Sequence, residues 1–250
     1  MKNFTKLLGA CLVIILLWLF TPMQEHVMRL WYDFTTGQHI IESHDEIDLI
    51  FQNLQKIPYA QLPLSYREST GMVNSFYENK LKKRYFYVLE GSDIFHFLVG
   101  DFRIIDFLPN DEFLGEHLTK LLTKHKVYWL VDEKVIHKTL DFQNALYKKG
   151  YNETGFKIVN GFRHPKYNSE IGGVPKSHHQ LGEAIDIVIG DVDDNGAANQ
   201  EDKSIILDIL ENEIIKDEGG VGRYLGTMSV HYDTRGYRAR WNQQGGGNVK

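Results

Sequence analysis

Ser177-His178-His179-Gln180-Leu181-Gly182-Glu183-Ala184-Ile185-Asp186 follows the pattern SxHxxGxAxD and is answered, 45 residues past Asp186, by Val230-His231-Tyr232-Asp233. The first stretch predicts a turn at Gly182 and then a strand over residues 184–189. In that strand Ile185, Ile187 and Ile189 share one face and Ala184, Asp186 and Val188 the other. Asp186 therefore stands in mid-strand among apolar neighbours, where its carboxylate loses hydration that only a metal, a cation or several hydrogen bonds can replace. Alternation in the later segment puts Ser229, His231 and Asp233 on one side and Val230 and Tyr232 on the other, so His231 and Asp233 point into a common space. His179, Asp186 and His231 together read as three zinc ligands with a coordination position left open. Each also has an ordinary structural reading: His179 capping a turn, Asp186 paired with an arginine, His231 as a hydrogen-bonded core histidine.

From about Val135 to Trp241 the chain resembles the zinc D-alanyl-D-alanine carboxypeptidases and endopeptidases of bacterial cell-wall metabolism, which share a metal-site fold with the hedgehog signalling domain. The resemblance is carried by Gly161-Phe162-Arg163 with Asn168, by the SxHxxGxAxD segment, and by Val230-His231-Tyr232-Asp233 followed by Arg235-Gly236-Tyr237-Arg238-Ala239-Arg240-Trp241. It implies that His179, Asp186 and His231 are the zinc ligands and that Arg163 is the cation that binds a substrate carboxylate or carbonyl oxygen. The alternative for Arg163 is an ion pair with Asp186 or Glu183. His178 falls on a variable position of the motif and receives no ligand role.

The activity so implied is zinc-assisted hydrolysis of a D-amino-acid-containing bond in the peptide stems or cross-bridges of peptidoglycan, by carboxypeptidase or endopeptidase action. In related enzymes the general base often stands two or three residues before the last ligand. Here Ser229 and Met228 hold those places, and neither takes a proton from water at neutral pH. Asp233, on the ligand side of its strand, is the substitute catalytic group, with a salt bridge to Arg235 or Arg238 as its alternative. The missing upstream base also leaves open a second class of function: a metal-stabilised module without turnover that binds cell-wall peptide or an envelope protein partner.

Between the two segments lies Asp191-Val192-Asp193-Asp194-Asn195-Gly196-Ala197-Ala198-Asn199-Gln200-Glu201-Asp202. Oxygen-bearing residues Asp191, Asp193, Asn195, Asn199 and Asp202, with glycine at the sixth place, match the layout of an EF-hand-like calcium loop. The last place carries Asp instead of Glu, as in dockerin-type loops, and residues 204–215 beyond it have apolar residues at helical spacing. The alternative is an acidic surface turn leading into a helix, with Asp202 or Ser204 near its cap.

At the amino end Lys2 and Lys6 precede an apolar run over residues 7–20 with no small-x-small cleavage pattern after it. With residues 21–23 the run reaches the lower length limit for a spanning helix, and the upstream positive charge predicts an uncleaved signal anchor in the inner membrane with the remainder outside the cytoplasm. Cys11 is the single cysteine, so the exported part has no disulfide and its stability rests on burial and metal. The composition, 42% hydrophobic over 250 residues, suffices for one good core. A formal charge of −5 without a basic stripe argues against nucleic-acid binding.

These features predict an α+β protein: a small antiparallel sheet flanked by helices and carrying the zinc site, an additional N-terminal α+β region and an N-terminal membrane anchor. The expected organisation is an anchor over 1–23, the α+β region over 24–134, the peptidase-like domain over 135–242 and a flexible tail over 243–250. Helices are expected over 47–54, 111–122 and 140–149, a strand over 156–159, and a hairpin of strands 84–89 and 94–99 around Glu90-Gly91-Ser92. His96 and His117 read as fold histidines, and Tyr85, Phe86, Tyr87, Phe95 and Phe97 as core builders.

Overall fold

The structure, a computed structural model, describes residues 21–36, 40–120 and 125–244. The apolar run expected to anchor the chain, Cys11 within it, and most of the expected tail lie outside the described residues. Among the described residues no helix is long and apolar enough to cross a membrane.

The N-terminal part is an α+β layer, as its patterning predicts. Helix His44–Asn53 starts at Ser43, which caps the backbone of Glu46 while Glu46 returns to the cap, and its Ile47 and Phe51 face the core. Strands β1 (Gln55–Pro58), β2 (Tyr85–Glu90), β3 (Phe97–Val99), β4 (Phe102–Arg103) and β5 (Lys126–Trp129) follow, and β1, β2 and β5 form an antiparallel sheet with β2 in the middle. Phe86, Tyr87 and Phe95 are buried in the core, and His117 is buried with its Nε2 at 3.0 Å from the Gly91 carbonyl.

The hairpin expected around Glu90-Gly91-Ser92 does not form. Asp93 accepts a hydrogen bond from the Glu90 amide at 2.8 Å and closes a local turn, residues Asp93–Phe95 wind into a short 3-10 helix, and β3 pairs with β4 instead. Ile94 and Phe95 are both fully buried, and a 3-10 turn can point two neighbouring side chains inward where a one-sided strand cannot.

Helix Glu133–Lys148 begins at its Asp132 cap, earlier than the expected residue 140, and buries Val135, Ile136, Leu140, Phe142 and Leu146. The domain boundary expected near Lys134 falls in its first turn, and a single buried cluster runs from Ile41 in the N-terminal layer to Tyr232. Thr139 on this helix meets the Tyr232 hydroxyl at 2.9 Å, fixing the helix on the second sheet.

That sheet has five strands: β6 (Phe156–Asn160), β7 (Ala184–Ile189), β8 (Gly220–Leu225), β9 (Ser229–Asp233) and β10 (Ala239–Gln244), in the order β10-β8-β9-β7-β6. All neighbours are antiparallel except β10, which runs parallel to β8 at the edge. The strand predicted for residues 184–189 has those bounds, and Ile185, Ile187 and Ile189 are all buried. Each such isoleucine contributes roughly 1.5–3 kcal/mol by burial, which holds the opposite, polar face of the sheet in place.

The acidic loop is closed by hydrogen bonds from its own backbone. Asp202 is fully buried at the first turn of helix Gln200–Ile209 and accepts from the amides of Val192 (2.7 Å), Asp193 (3.1 Å) and Asn199 (2.8 Å). Asn199 caps the same helix by accepting from the Glu201 amide, and Asn195 accepts from the Ala197 amide. Asp202, Asn199 and Asn195 thus turn to the backbone, and Asp193 Oδ1 likewise accepts from the Asn195 amide. Asp191, Asp193 and Asp202 do lie with ligand atoms within 4.8 Å of one another, but the Asp191 oxygens already accept from the amides of Asn195 and Gly196. The loop is accounted for as a capped entry to the helix. Replacing Asp202 by Ala leaves three amides without their acceptor and is expected to lower stability by about 1–2 kcal/mol, read as a lower urea midpoint at unchanged m-value.

Candidate metal centre

The candidate centre is one transverse row of the five-stranded sheet. Asn160 on β6 pairs with Asp186 on β7, Asp186 with His231 on β9, His231 with Gly222 on β8, and Gly222 with Trp241 on β10. Residues in one row share a face, so positions far apart along the chain become nearest neighbours through register alone. His179 arrives from outside the sheet on the short helix His178–Leu181, which ends at Gly182 with φ +67°. A β-carbon at Gly182 would also lie 2.4 Å from the Leu130 carbonyl oxygen, so the motif's glycine is required twice over.

The three expected ligands converge. His231 Nδ1 is 2.8 Å from Asp186 Oδ1, His179 Nε2 is 3.2 Å from the same oxygen, and the two ring nitrogens are 3.1 Å apart. Donors bound to tetrahedral zinc at about 2.0–2.1 Å stand about 3.3 Å from one another, so this triangle needs only small outward movements to accept the ion. The ring tautomers suit the same purpose. His179 Nδ1 lies 2.6 Å from the Gly161 carbonyl and His231 Nε2 lies 3.0 Å from Asp233 Oδ2, both acceptors, so each ring places its N–H outward and a lone pair toward the triangle.

Protonation follows from burial and neighbours. Burial first, then the Arg163 charge, brings His179 down to about 4, against the pull of Asp186, so the ring is neutral at physiological pH. Burial pushes the Asp186 carboxyl up, but His179, Arg163 and His231 together hold it well below the usual carboxylate range. For His231 burial acts to lower the pKa, and hydrogen bonds to Asp186 and Asp233 overcome it and raise it.

Arg163 is placed by its backbone amide, which donates to the His179 carbonyl at 3.1 Å, and its guanidinium pairs with Asp186. Its Nε, buried, has no acceptor among the described residues, and the side chain lines the cleft. Asn168 of the same motif is buried and donates to the Val174 carbonyl, shaping the cleft rim. Asp233 needs correction from the general-base expectation. It is fully buried beneath His231, accepts from the Gly220 amide (3.0 Å) and forms a forked pair with Arg235. Burial would raise its carboxyl, yet His231 and Arg235 drive it far below the ordinary range, so it holds His231 in orientation and takes no proton at neutral pH. Arg235 Cζ in turn lies 5.0 Å from the Trp241 ring, which stands 5.2 Å from the His231 ring. Gly222 makes room for that indole, since a β-carbon there would meet it at 2.6 Å.

Above the triangle opens a cleft of about 640 Å³, walled by Tyr77, Lys176, His178, Tyr224, Tyr237 and Trp241 among others. Sequence reading missed several of these. His178 Nδ1 lies 2.8 Å from Glu183 Oε2, and Arg84 from the N-terminal layer pairs with the other oxygen of Glu183. Burial and the proximity of Asp186 raise the Tyr224 hydroxyl. The alternation Gly220, Gly222, Tyr224 along one face opposite His231 was the available signal for β8.

Residues 130–233 match the peptidase M15 family model, and no curated protein and no solved structure matches the chain. The matched segment carries all three ligands; members of that family are zinc-dependent metallopeptidases, and the His179, Asp186 and His231 group could hold such an ion. Replacing Asp233 by Asn removes the carboxylate that orients His231 while keeping its volume. Zinc affinity, measured by competition with a chromogenic chelator, is expected to fall about 10–100-fold with the circular dichroism spectrum retained. Unchanged affinity would contradict the orienting role.

Proposed function

We propose that this chain, with its peptidase M15 segment over residues 130–233, is a zinc peptidase of the cell envelope that hydrolyses a D-amino-acid-containing amide bond in peptidoglycan. The observation that carries the reading is the triangle of His179, Asp186 and His231 donor atoms at 2.8–3.2 Å, at the floor of an open cleft. Zinc, when bound there, lowers the pKa of its water to about 7 and polarises a scissile carbonyl.

The chain's own residues supply the rest. Arg163, beside Asp186 and with Nε lacking an acceptor among the described residues, offers donors to a substrate carboxylate or to the carbonyl oxygen as it gains charge. In place of Asp233, the proton carrier we assign is His178. Glu183 holds its Nδ1, leaving Nε2 of a cleft-wall imidazole to accept a proton, and Arg84 fixes Glu183. Lys176 and Arg235 give the cleft cationic walls suited to the free carboxylates of a peptide stem.

Anchoring at the inner membrane is part of the same proposal. The basic-flanked apolar run over residues 7–20 leads into helix Thr21–Thr36, which is tied to the domain by Arg29 to Asp106 at 2.7 Å and by Asp33 to Arg103 at 2.5 Å. Leu30 and Phe34 on that helix are 56% and 90% exposed, as residues at a lipid surface are. A binding module without turnover is the second reading, favoured by Ser229 and Met228 at the places before His231 where related enzymes carry their base.

Incubation of the zinc-loaded chain with purified peptidoglycan, followed by mass analysis, is expected to show released peptide fragments that chelation or His179→Ala abolishes. Arg163→Met is expected to lower kcat/KM by about 10²–10³ at unchanged zinc content. Full zinc occupancy and retained wall binding without any fragment would select the binding module.

A further inference from the structure

Away from the candidate centre, two other imidazoles face each other across two helices. His44 and Asp48 lie on helix His44–Asn53 of the N-terminal layer, and His137 and Asp141 lie on helix Glu133–Lys148 of the M15 segment. His44 Nδ1 stands 2.8 Å from His137 Nδ1. The outer nitrogens are crossed between the helices: His44 Nε2 lies 3.0 Å from Asp141 Oδ1, and His137 Nε2 lies 3.0 Å from Asp48 Oδ1.

The hydrogens can be counted. An ionised carboxylate only accepts, so both Nε2 atoms carry hydrogen, and a neutral imidazole has no second N–H to give. Both Nδ1 atoms then present lone pairs to each other at hydrogen-bonding distance, an arrangement that is repulsive unless a cation lies between them. A carboxylate on the outer nitrogen of each ring is also the pattern that fixes the tautomer and raises the basicity of metal-binding histidines.

The two nitrogens, 2.8 Å apart, stand as close as the His231 and Asp186 donor atoms do and, like them, need only small movements to share one divalent ion. Imidazole nitrogen suits copper, nickel and zinc, and among these copper(II) binds such a donor pair most tightly. The side chains of His44 and His137 are 48% and 24% exposed, so water can complete the coordination.

We propose that His44 and His137 form a binding site for a divalent transition-metal ion that prefers imidazole, copper(II) foremost, which clasps the N-terminal layer to the segment over residues 130–233. The site is separate from the His179, Asp186 and His231 centre and does not depend on that centre being catalytic.

The test uses the full chain, first loaded with zinc at the M15 centre and then titrated with copper(II) in a non-coordinating buffer. The expected result is an axial electron paramagnetic resonance spectrum with splitting from two nitrogens, a rise in melting temperature, and zinc retained on elemental analysis. His44→Gln and His137→Gln, both at helix surfaces, are each expected to lose the two-nitrogen signature and the melting shift while keeping zinc. No bound copper, or a copper spectrum identical in the unaltered chain and in both variants, would mean that only a proton bridges the pair and would overturn the proposal.

Discussion

Asp186 is a carboxylate with 1% exposure in the middle of a strand, and what that charge requires organises the surrounding structure. Its lost hydration is replaced by His179, His231 and Arg163, each brought from a different part of the chain. The pairing of Asp186 with His231 is set by strand register, and a slip of one residue would turn Asp186 and His231 to the apolar face while bringing isoleucines to the polar one. The buried isoleucines of β7 and the Tyr232 to Thr139 contact hold against that slip, so the core beneath the sheet fixes the chemistry above it.

The support extends outward in layers. Asp233 holds His231, Arg235 holds Asp233, and Trp241 packs over both Arg235 and His231 in space that Gly222 leaves free. Glycine within a strand costs about 0.5–1 kcal/mol relative to alanine, and here the cost permits an indole wall beside a ligand. On the other side of the centre, Arg84 reaches from the N-terminal layer through Glu183 to His178. Together with the continuous core, this makes the N-terminal layer a structural participant in the cleft.

Much of this is legible in the sequence where one residue's local environment decides its role. The strand at residues 184–189, the turn at Gly182 and the convergence of His179, Asp186 and His231 follow from alternation and a motif. The role of Asp233 does not, because alternation gives the side of a strand but not depth below the surface, and only the positions of Gly220 and Arg235 show that its oxygens are already engaged. The spacing of Asp191 to Asp202 likewise shows oxygen-bearing residues without showing that backbone amides claim the oxygens of Asn195 and Asn199. The 94–99 segment misleads because Ile94 and Phe95 are both apolar enough for a strand, yet both must be inside. The His44 and His137 pair is invisible in one dimension, since its logic is a crossing of two helices.

The central claim is that two imidazoles and one carboxylate from this row and its adjoining turn bind zinc with room left for solvent. Zinc-edge X-ray absorption of the purified chain, loaded with one equivalent, reports the ligand shell directly. The account predicts a four-coordinate shell of nitrogen and oxygen at about 2.0–2.1 Å, with the scattering pattern of two imidazoles that falls to one in His231→Ala. A six-oxygen shell, or a spectrum that His231→Ala leaves unchanged, would contradict it.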